Sequence, residues 1–252
     1  MCTQTIDNAF PLCDAIEALA LQSMSEQRHA ACKRLHELGW PTKRNDAFRY
    51  CNLKELAETK WQIGPVTTAD KTALNGLAID GTDVRLVFVN GRFDATASSP
   101  LPDGVRLLGP MLIETEIDRV ANFTDDTFAQ LATATTEDGV LVEVADNQAI
   151  SEPIHIVHLS APESDPITST LRVIIRLGKN ARACVLETWA GNGPCLVTPM
   201  TEVELAEGAH CNHARLVEHG DDVWHMGAIA SKQDARSTFE SVVLTIGGKT
   251  IR

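Results

Sequence analysis

"LGKNARACV" (residues 177–185), "LAEGAHCNH" (205–213) and "SKQDARSTF" (231–239) are three versions of one pattern. In each, a polar residue and then Asn, Gly or Asp leads into alanine: Asn180-Ala181, Gly208-Ala209 and Asp234-Ala235. The three alanines are almost evenly spaced, and a weaker copy, Asn147-Gln148-Ala149, precedes Ala181 by a slightly longer interval. Each period holds two strand-like runs and two turns. Strand pairs repeating at such a period read as the coils of a solenoid, because each coil buries its inner face only by stacking on the next. The strand candidates from this reading are 140–144, 154–159, 171–177, 182–188, 197–205, 210–217, 223–230 and 236–246. The predicted class is mainly β: a parallel β-helix with two strands per coil over residues 139–252, with a β-sandwich as its main competitor.

Ahead of the repeats the texture differs. Residues 1–62 read as a helical region. Ser25 is positioned to N-cap a helix through Leu38, with Glu26 in its first turn and Gly39 and Pro41 closing it. Ala31, Leu35 and Leu38 share one face, and a segment around Ala15 to Leu21 is a candidate partner. "KRNDAFRYCNLKELAE" reads as a turn and a short helix ending before Trp61. Residues 63–138 form a mixed connecting region. Within it Asn90-Gly91 sits between two strand-like runs, so a hairpin is predicted over 86–93. A further helix is expected at 124–135, capped by Thr124 with Asp125 and Asp126 in its first turn.

The repeat tests whether "AHCNHARLVEH" (209–219) is a metal site. Alternate residues of a strand share a face. With the alanines aligned, Cys211 falls in a column with Ala183 and Ser237, and His213 with Val185 and Phe239. Buried Cys behaves as a small hydrophobe, so packing alone accounts for Cys211. His210 points the other way, beside Arg182 and Arg236. The cluster is split across two faces, and Cys211 with His213 supply two ligands, too few for a structural metal site. Cys184 is expected on the outer face with Asn212 and Thr238 as neighbours. His155 and His158 fall on opposite faces of one strand, and His225 has no readable Ser or Cys partner. No GxSxG, HExxH, P-loop or GxGxxG motif occurs. No catalytic or metal residue is therefore assigned.

The 252 residues carry a formal charge of −12, with 44% hydrophobic and 22% charged residues. The 22 basic residues are scattered, which argues against a nucleic-acid partner. There is no signal-peptide pattern, and the longest apolar runs are too short for a bilayer. Cysteines at 2, 13, 32, 51, 184, 195 and 211 include no CxxC pair. They fit the reduced thiols of a cytoplasmic protein rather than a disulfide framework.

"PTKRNDAFRYCNL" (41–53), "LVFVNGRF" (86–93), "EPIHIVHLS" (152–160) and the 177–252 series together resemble the SufB/SufD family of iron–sulfur cluster assembly proteins, nearer SufD than SufB. Phe48 stands where the family motif usually has Trp. The resemblance implies an N-terminal helical region, a right-handed parallel β-helix and a C-terminal helical region. It implies a non-catalytic subunit acting with a SufB-like subunit and a SufC-like ATPase. The iron–sulfur cluster would be handled by the complex, and this chain alone would bind no cofactor. Family members continue well past the position of Arg252. The expectation is therefore a truncated chain lacking the C-terminal helices and the ATPase-docking segment, with its bare strand edge covered by self-association. Whether the pair is a homodimer or a heterodimer is left open. Two other readings remain: a stand-alone metal or cluster carrier using Cys211 and His213, and a carbohydrate-active β-helix enzyme, which would need columns of carboxylates in one groove.

Overall fold

The computed structural model describes residues 26–109, 115–117, 119–120 and 122–252. The Ser25 cap, the 15–21 segment, Cys2 and Cys13 lie outside the described residues. Helix α1 (Glu26–Leu38) buries Ala31, Cys32 and Leu35 on one face, and Gly39 follows it at φ 65°, the left-handed cap that glycine adopts without strain. The 41–61 stretch forms a 3-10 turn (Asp46–Phe48) and α2 (Lys54–Glu58). Helix α3 (Lys71–Gly76) is capped by Asp70, whose side chain accepts from the Thr72 N–H. Helix α4 (Thr127–Thr135) starts later than the pattern suggested. Its cap is Asp126, whose carboxylate accepts from the Phe128 and Ala129 N–H groups, while Thr124 bonds to Asn122 instead.

Strands β1 (Gln62–Ile63), β2 (Val84–Val89), β3 (Arg92–Phe93) and β4 (Val105–Leu108) precede four coils. The first coil is β5 (Gly139–Val144), β6 (Ile154–Ser160) and β7 (Ile167–Ser169). The second is β8 (Arg172–Leu177), β9 (Arg182–Gly191) and β10 (Cys195–Val197). The third is β11 (Met200–Leu205), β12 (His210–His219) and β13 (Val223–His225), and the fourth is β14 (Ala228–Gln233), β15 (Thr238–Gly247) and β16 (Thr250–Ile251). Corresponding strands of successive coils pair in parallel, so the chain is mainly β and forms a parallel solenoid.

Each coil has three strands rather than two. The first sheet runs β15-β12-β9-β6-β2-β3, the second β14-β11-β8-β5-β4 and the third β1-β7-β10-β13-β16. Strands of the third sheet are two or three residues long, too short to show alternation, and the single runs expected at 197–205 and 223–230 each bend at a corner into two. Strand β2 pairs in parallel with β6, so the first sheet begins ahead of residue 139. The hairpin is present: Asn90 and Gly91 both have positive φ, 52° and 81°, and Phe88 faces Phe93 across it.

Register is constant where the alanine alignment made it vary. Arg172, Met200 and Ala228 are neighbours, as are Arg182, His210 and Thr238, so the step along the chain is the same throughout the last three coils. The residue matching Ala209 is therefore Ser237, not Ala235. The left-handed corner position is held by Asn180, Gly208 and Arg236, with φ of 55°, 70° and 60°. An arginine in a slot that favours Asn or Gly hid the third corner from the sequence pattern.

Inward residues of all three sheets fill one lumen, lined mainly by hydrocarbon at its start: Val140, Val142, Ile154, Ile156, Val173 and Ile175 are buried there. Each such side chain stabilises the fold by roughly 1.5–3 kcal/mol. The helices cover the outside. α1, α2 and α4 pack with Trp61 over Leu196 and Trp224 of the third sheet, and α3 covers Val87, Val157 and Leu159 of the first.

Candidate functional site in the solenoid lumen

The apolar lumen changes character from the middle of β9 onward. Alternation in β9 places Ala183, Val185, Glu187 and Trp189 inward, and alternation in β12 places Cys211, His213, Arg215, Val217 and His219 inward. Along the first sheet one column reads Ile154, Val185, His213, Ser241 and the next Ile156, Glu187, Arg215, Val243. Hydrocarbon gives way to ionisable groups in the same slots.

Glu187 is the hub. Its Oε1 accepts from the Thr201 hydroxyl at 2.8 Å and lies 2.8 Å from His213 Nε2. Its Oε2 accepts from Trp189 Nε1 at 2.8 Å and from Arg215 Nη2 at 2.9 Å. His213 Nδ1 meets Ser241 Oγ at 2.9 Å, and Arg215 also donates to Thr201. Burial by itself would raise the Glu187 carboxyl, but Arg215, His213 and Thr201 outweigh it and hold the group well below the usual carboxylate range. The buried charge is tolerated because both carboxylate oxygens are occupied by donors.

A histidine group adjoins this hub on the other side of Trp189. His158 stacks on the indole at 4.6 Å between centroids, and His225 meets it edge-on at 5.6 Å. His219 Nε2 lies 3.0 Å from His225 Nδ1, and His158 Nε2 lies 2.7 Å from Ser169 Oγ. Burial lowers His158 to about 3 and His219 to about 4, and it holds His225 well below its ordinary value. All three rings are neutral at pH 7. The arrangement is a pre-paired polar core: it can fix side chains, hold protons at defined nitrogens and present imidazole donors.

Two family models divide the chain between them. One described as "SufBD protein N-terminal region" matches residues 12–156, and one described as "SUF system FeS cluster assembly, SufBD core domain" matches residues 159–252. The chain belongs to the SufBD family. It is similar to the iron–sulfur cluster assembly SufBD family protein slr0076 of Synechocystis sp., with 24% identity over 246 residues covering 90% of this chain and 54% of that protein. It is also similar to the chloroplastic protein ABCI7 of Arabidopsis thaliana, with 22% identity over 263 residues covering 94% of this chain and 53% of that one. The chain spans about half the length of the curated relatives it matches.

In this SufBD chain Cys211 and His213 do share the inner face. The neighbours of Cys211 are Ala183 and Phe239, those of His213 are Val185 and Ser241, and His213 is bound to a carboxylate rather than the carbonyl a core histidine would be expected to find. Burial pushes the Cys211 thiol up to about 12, and Cys195, also inside, likewise. His210 faces outward beside Arg182 and Thr238, and half-buried Cys184 lies beside Asn212, whose neighbour on the far side is Glu240 rather than Thr238. His155 and His158 lie on opposite faces, and His155 is buried outside the lumen against Thr188. His225, without a readable partner in the sequence, pairs with His219. No group of three or more His, Cys, Asp or Glu side chains able to hold a metal occurs among the described residues.

Glu187, Trp189, Thr201 and Arg215 escaped sequence reasoning. Alternation starting at Ala181 would have marked Glu187 as inward, but a charged residue in a strand reads as solvent-facing by default. The outer face of the second sheet carries carboxylates in one column, each beside a cation. Glu143 and Glu204 flank Arg176, which pairs with both at 3.0 and 3.4 Å. No described helix is long and apolar enough to cross a membrane.

Proposed function

We propose that this chain acts in iron–sulfur cluster assembly as a non-catalytic, SufD-like solenoid subunit in the cytoplasm, working with a SufB-like subunit and a SufC-like ATPase. The iron–sulfur cluster is cargo of the complex rather than a resident group of this chain. The observation that carries the reading is the SufBD match across both segments of a regular parallel solenoid. Its ionisable groups are paired to each other inside the coil, as the Glu187 hub shows. Such a core shapes a surface for partners.

The partner-facing surface in this reading includes the outer face of β15. Strand β15 exposes Val242, Leu244 and Ile246 on one face. The test is size-exclusion chromatography with mass detection, under anaerobic conditions, of this chain mixed with purified SufB and SufC. Co-elution with SufB is expected. No association with either, together with stoichiometric iron or zinc on the isolated chain, would overturn the reading in favour of a metal carrier.

A further inference from the structure

Three asparagines precede a glycine in this chain: Asn75-Gly76, Asn90-Gly91 and Asn192-Gly193. An asparagine in that position is the one most prone to lose its side-chain amide, because no Cβ screens the following backbone nitrogen from the Asn Cγ. The fold treats the three differently.

Asn90 is locked. It is 5% exposed, its Nδ2 donates to the Pro65 and Ala161 carbonyls at 3.1 and 3.2 Å, and its Oδ1 accepts from the Ala161 N–H at 2.8 Å. Asn75 is exposed but helical. Gly76 is the last residue of α3, where helical backbone points its N–H along the axis toward the preceding turn, away from the Asn75 side chain. Asn192 has neither restraint. It is exposed in the turn between β9 and β10, and neither its side chain nor the Gly193 N–H makes a hydrogen bond among the described residues. Gly193 holds φ at 87°, and a Cβ there would stand 2.9 Å from Pro162 Cγ, so the turn itself requires the glycine. The residue that shapes this corner is thus the one that leaves Asn192 open to attack.

We propose that Asn192 is a site of spontaneous deamidation. The Gly193 nitrogen attacks Asn192 Cγ. A new C–N bond forms, the Cγ–Nδ2 bond breaks, and Nδ2 leaves as ammonia with the proton from the Gly193 nitrogen. Water then opens the resulting succinimide. Hydrolysis at the side-chain carbonyl gives aspartate; hydrolysis at the backbone carbonyl gives isoaspartate, whose extra backbone methylene lengthens the turn ahead of β10. Either product adds a carboxylate to a groove of about 560 Å³ that Asn192 lines with Asp70 and Glu218 and, among the described residues, with no Lys or Arg. The modification is independent of the role in cluster assembly and marks the age of the chain by a charge change at one corner.

The test is incubation of the full chain at pH 7.5, with peptide mapping by mass spectrometry at intervals and a parallel incubation in guanidinium chloride. In the folded chain the Asn192 peptide is expected to lose its amide, as aspartate and isoaspartate together, while the Asn75 and Asn90 peptides keep theirs. In denaturant the Asn75 and Asn90 peptides should follow, since the fold is what restrains them. Asn192→Gln should remove the conversion at that position, because the longer side chain cyclises less readily, and leave the unfolding midpoint unchanged. An intact Asn192, loss at Asn75 or Asn90 as fast as at Asn192 in the folded chain, or the same protection of those two in denaturant would overturn the proposal.

Discussion

Glu187 and Arg215 are joined by the same step along the solenoid as Glu204 and Lys232: each pair sits side by side on adjacent parallel strands, one full coil apart. One pair is inside and the other outside. The Glu187 and Arg215 side chains are 0% and 5% exposed, against 25% and 56% for Glu204 and Lys232. The outer pair ends a ladder of alternating charge, Arg106–Glu143–Arg176–Glu204–Lys232, crossing all five strands of the second sheet. Identical backbone geometry thus carries two kinds of ion pair. The inner one exists only because donors surround it, and the outer one persists because water forgives its imperfections.

The sharpest way to break the comparison is to remove the inner hub. Glu187→Ala leaves Arg215 as a buried charge without its carboxylate and strips Trp189 and His213 of their acceptor. A loss of about 3–5 kcal/mol is expected, the range for breaking one side of a buried pair. Urea unfolding followed by tryptophan fluorescence measures it. The double replacement Glu187→Leu with Arg215→Met should recover most of that loss, since hydrocarbon of similar volume removes the need for pairing. If the double variant is as unstable as the single one, the hub contributes more than internal satisfaction of charge.

Acid is the next lever, and it acts on the lumen first. His219 and His158, at about 4 and about 3 in the fold, are lowered from an ordinary 6.5, so the unfolded chain takes up protons before the folded one does. Their contribution is complete above pH 6.5 and is lost as pH falls through the folded values. From His219 alone the loss is on the order of 3 kcal/mol by pH 4. Glu187, also lowered, adds to the loss below its ordinary range of about 4.3. His219→Asn should flatten stability against pH between 6.5 and 4. An unchanged slope in that variant would place the acid sensitivity elsewhere.

The same contrast explains what could be read from sequence alone. Corners signalled themselves where Asn180 and Gly208 adopt left-handed backbone, because those residue types are selected for it. Arg236 adopts the same conformation without the signature, so the last coil was read two residues out of register. An even error kept every side chain on its correct face but gave Cys211 and His213 the wrong neighbours. The third sheet stayed invisible because three residues such as Cys195–Val197 cannot display alternation. The inner hub was illegible for another reason. Polarity predicts exposure on average, and Glu187 and Arg215 are exceptions made tolerable by partners on neighbouring strands, distant in sequence.

On the outside, Arg176 is the member whose loss matters most. It is bound to Glu116, Glu143 and Glu204 at once, with its own side chain 19% exposed. Arg176→Ala leaves Glu116, Glu143 and Glu204 around an empty centre with only the more exposed Arg119, Arg106 and Lys232 to offset them, so a loss of about 1–2 kcal/mol is expected. Mutual repulsion is screened by salt, so the difference from the parent should shrink at about 1 M ionic strength, where the Debye length falls to about 3 Å. The Glu187→Ala difference should not shrink, because the lumen admits no counterions. Thermal unfolding of both variants at low and high salt separates the two mechanisms. Equal salt sensitivity would mean that the lumen is wetter than its closed hydrogen bonding implies.

Lys232 supplies the limiting case. Its ammonium approaches Glu204 Oε1 at 3.3 Å from the edge strand, and Glu204 keeps Arg176 when Lys232 is removed. Lys232→Ala should therefore change stability by no more than about 0.5 kcal/mol in the isolated chain, within the range of exposed pairs. The interesting outcome is a larger effect in the presence of a partner than in its absence. Along the ladder each cation is followed by a carboxylate on the next strand, and β14 ends on a cation. A partner seated over Lys232 removes water from its ammonium, and desolvation strengthens whatever opposite charge that partner brings. Measured in the isolated chain and again in the mixture with SufB, the Lys232→Ala difference distinguishes a side chain that is merely exposed from one that is used.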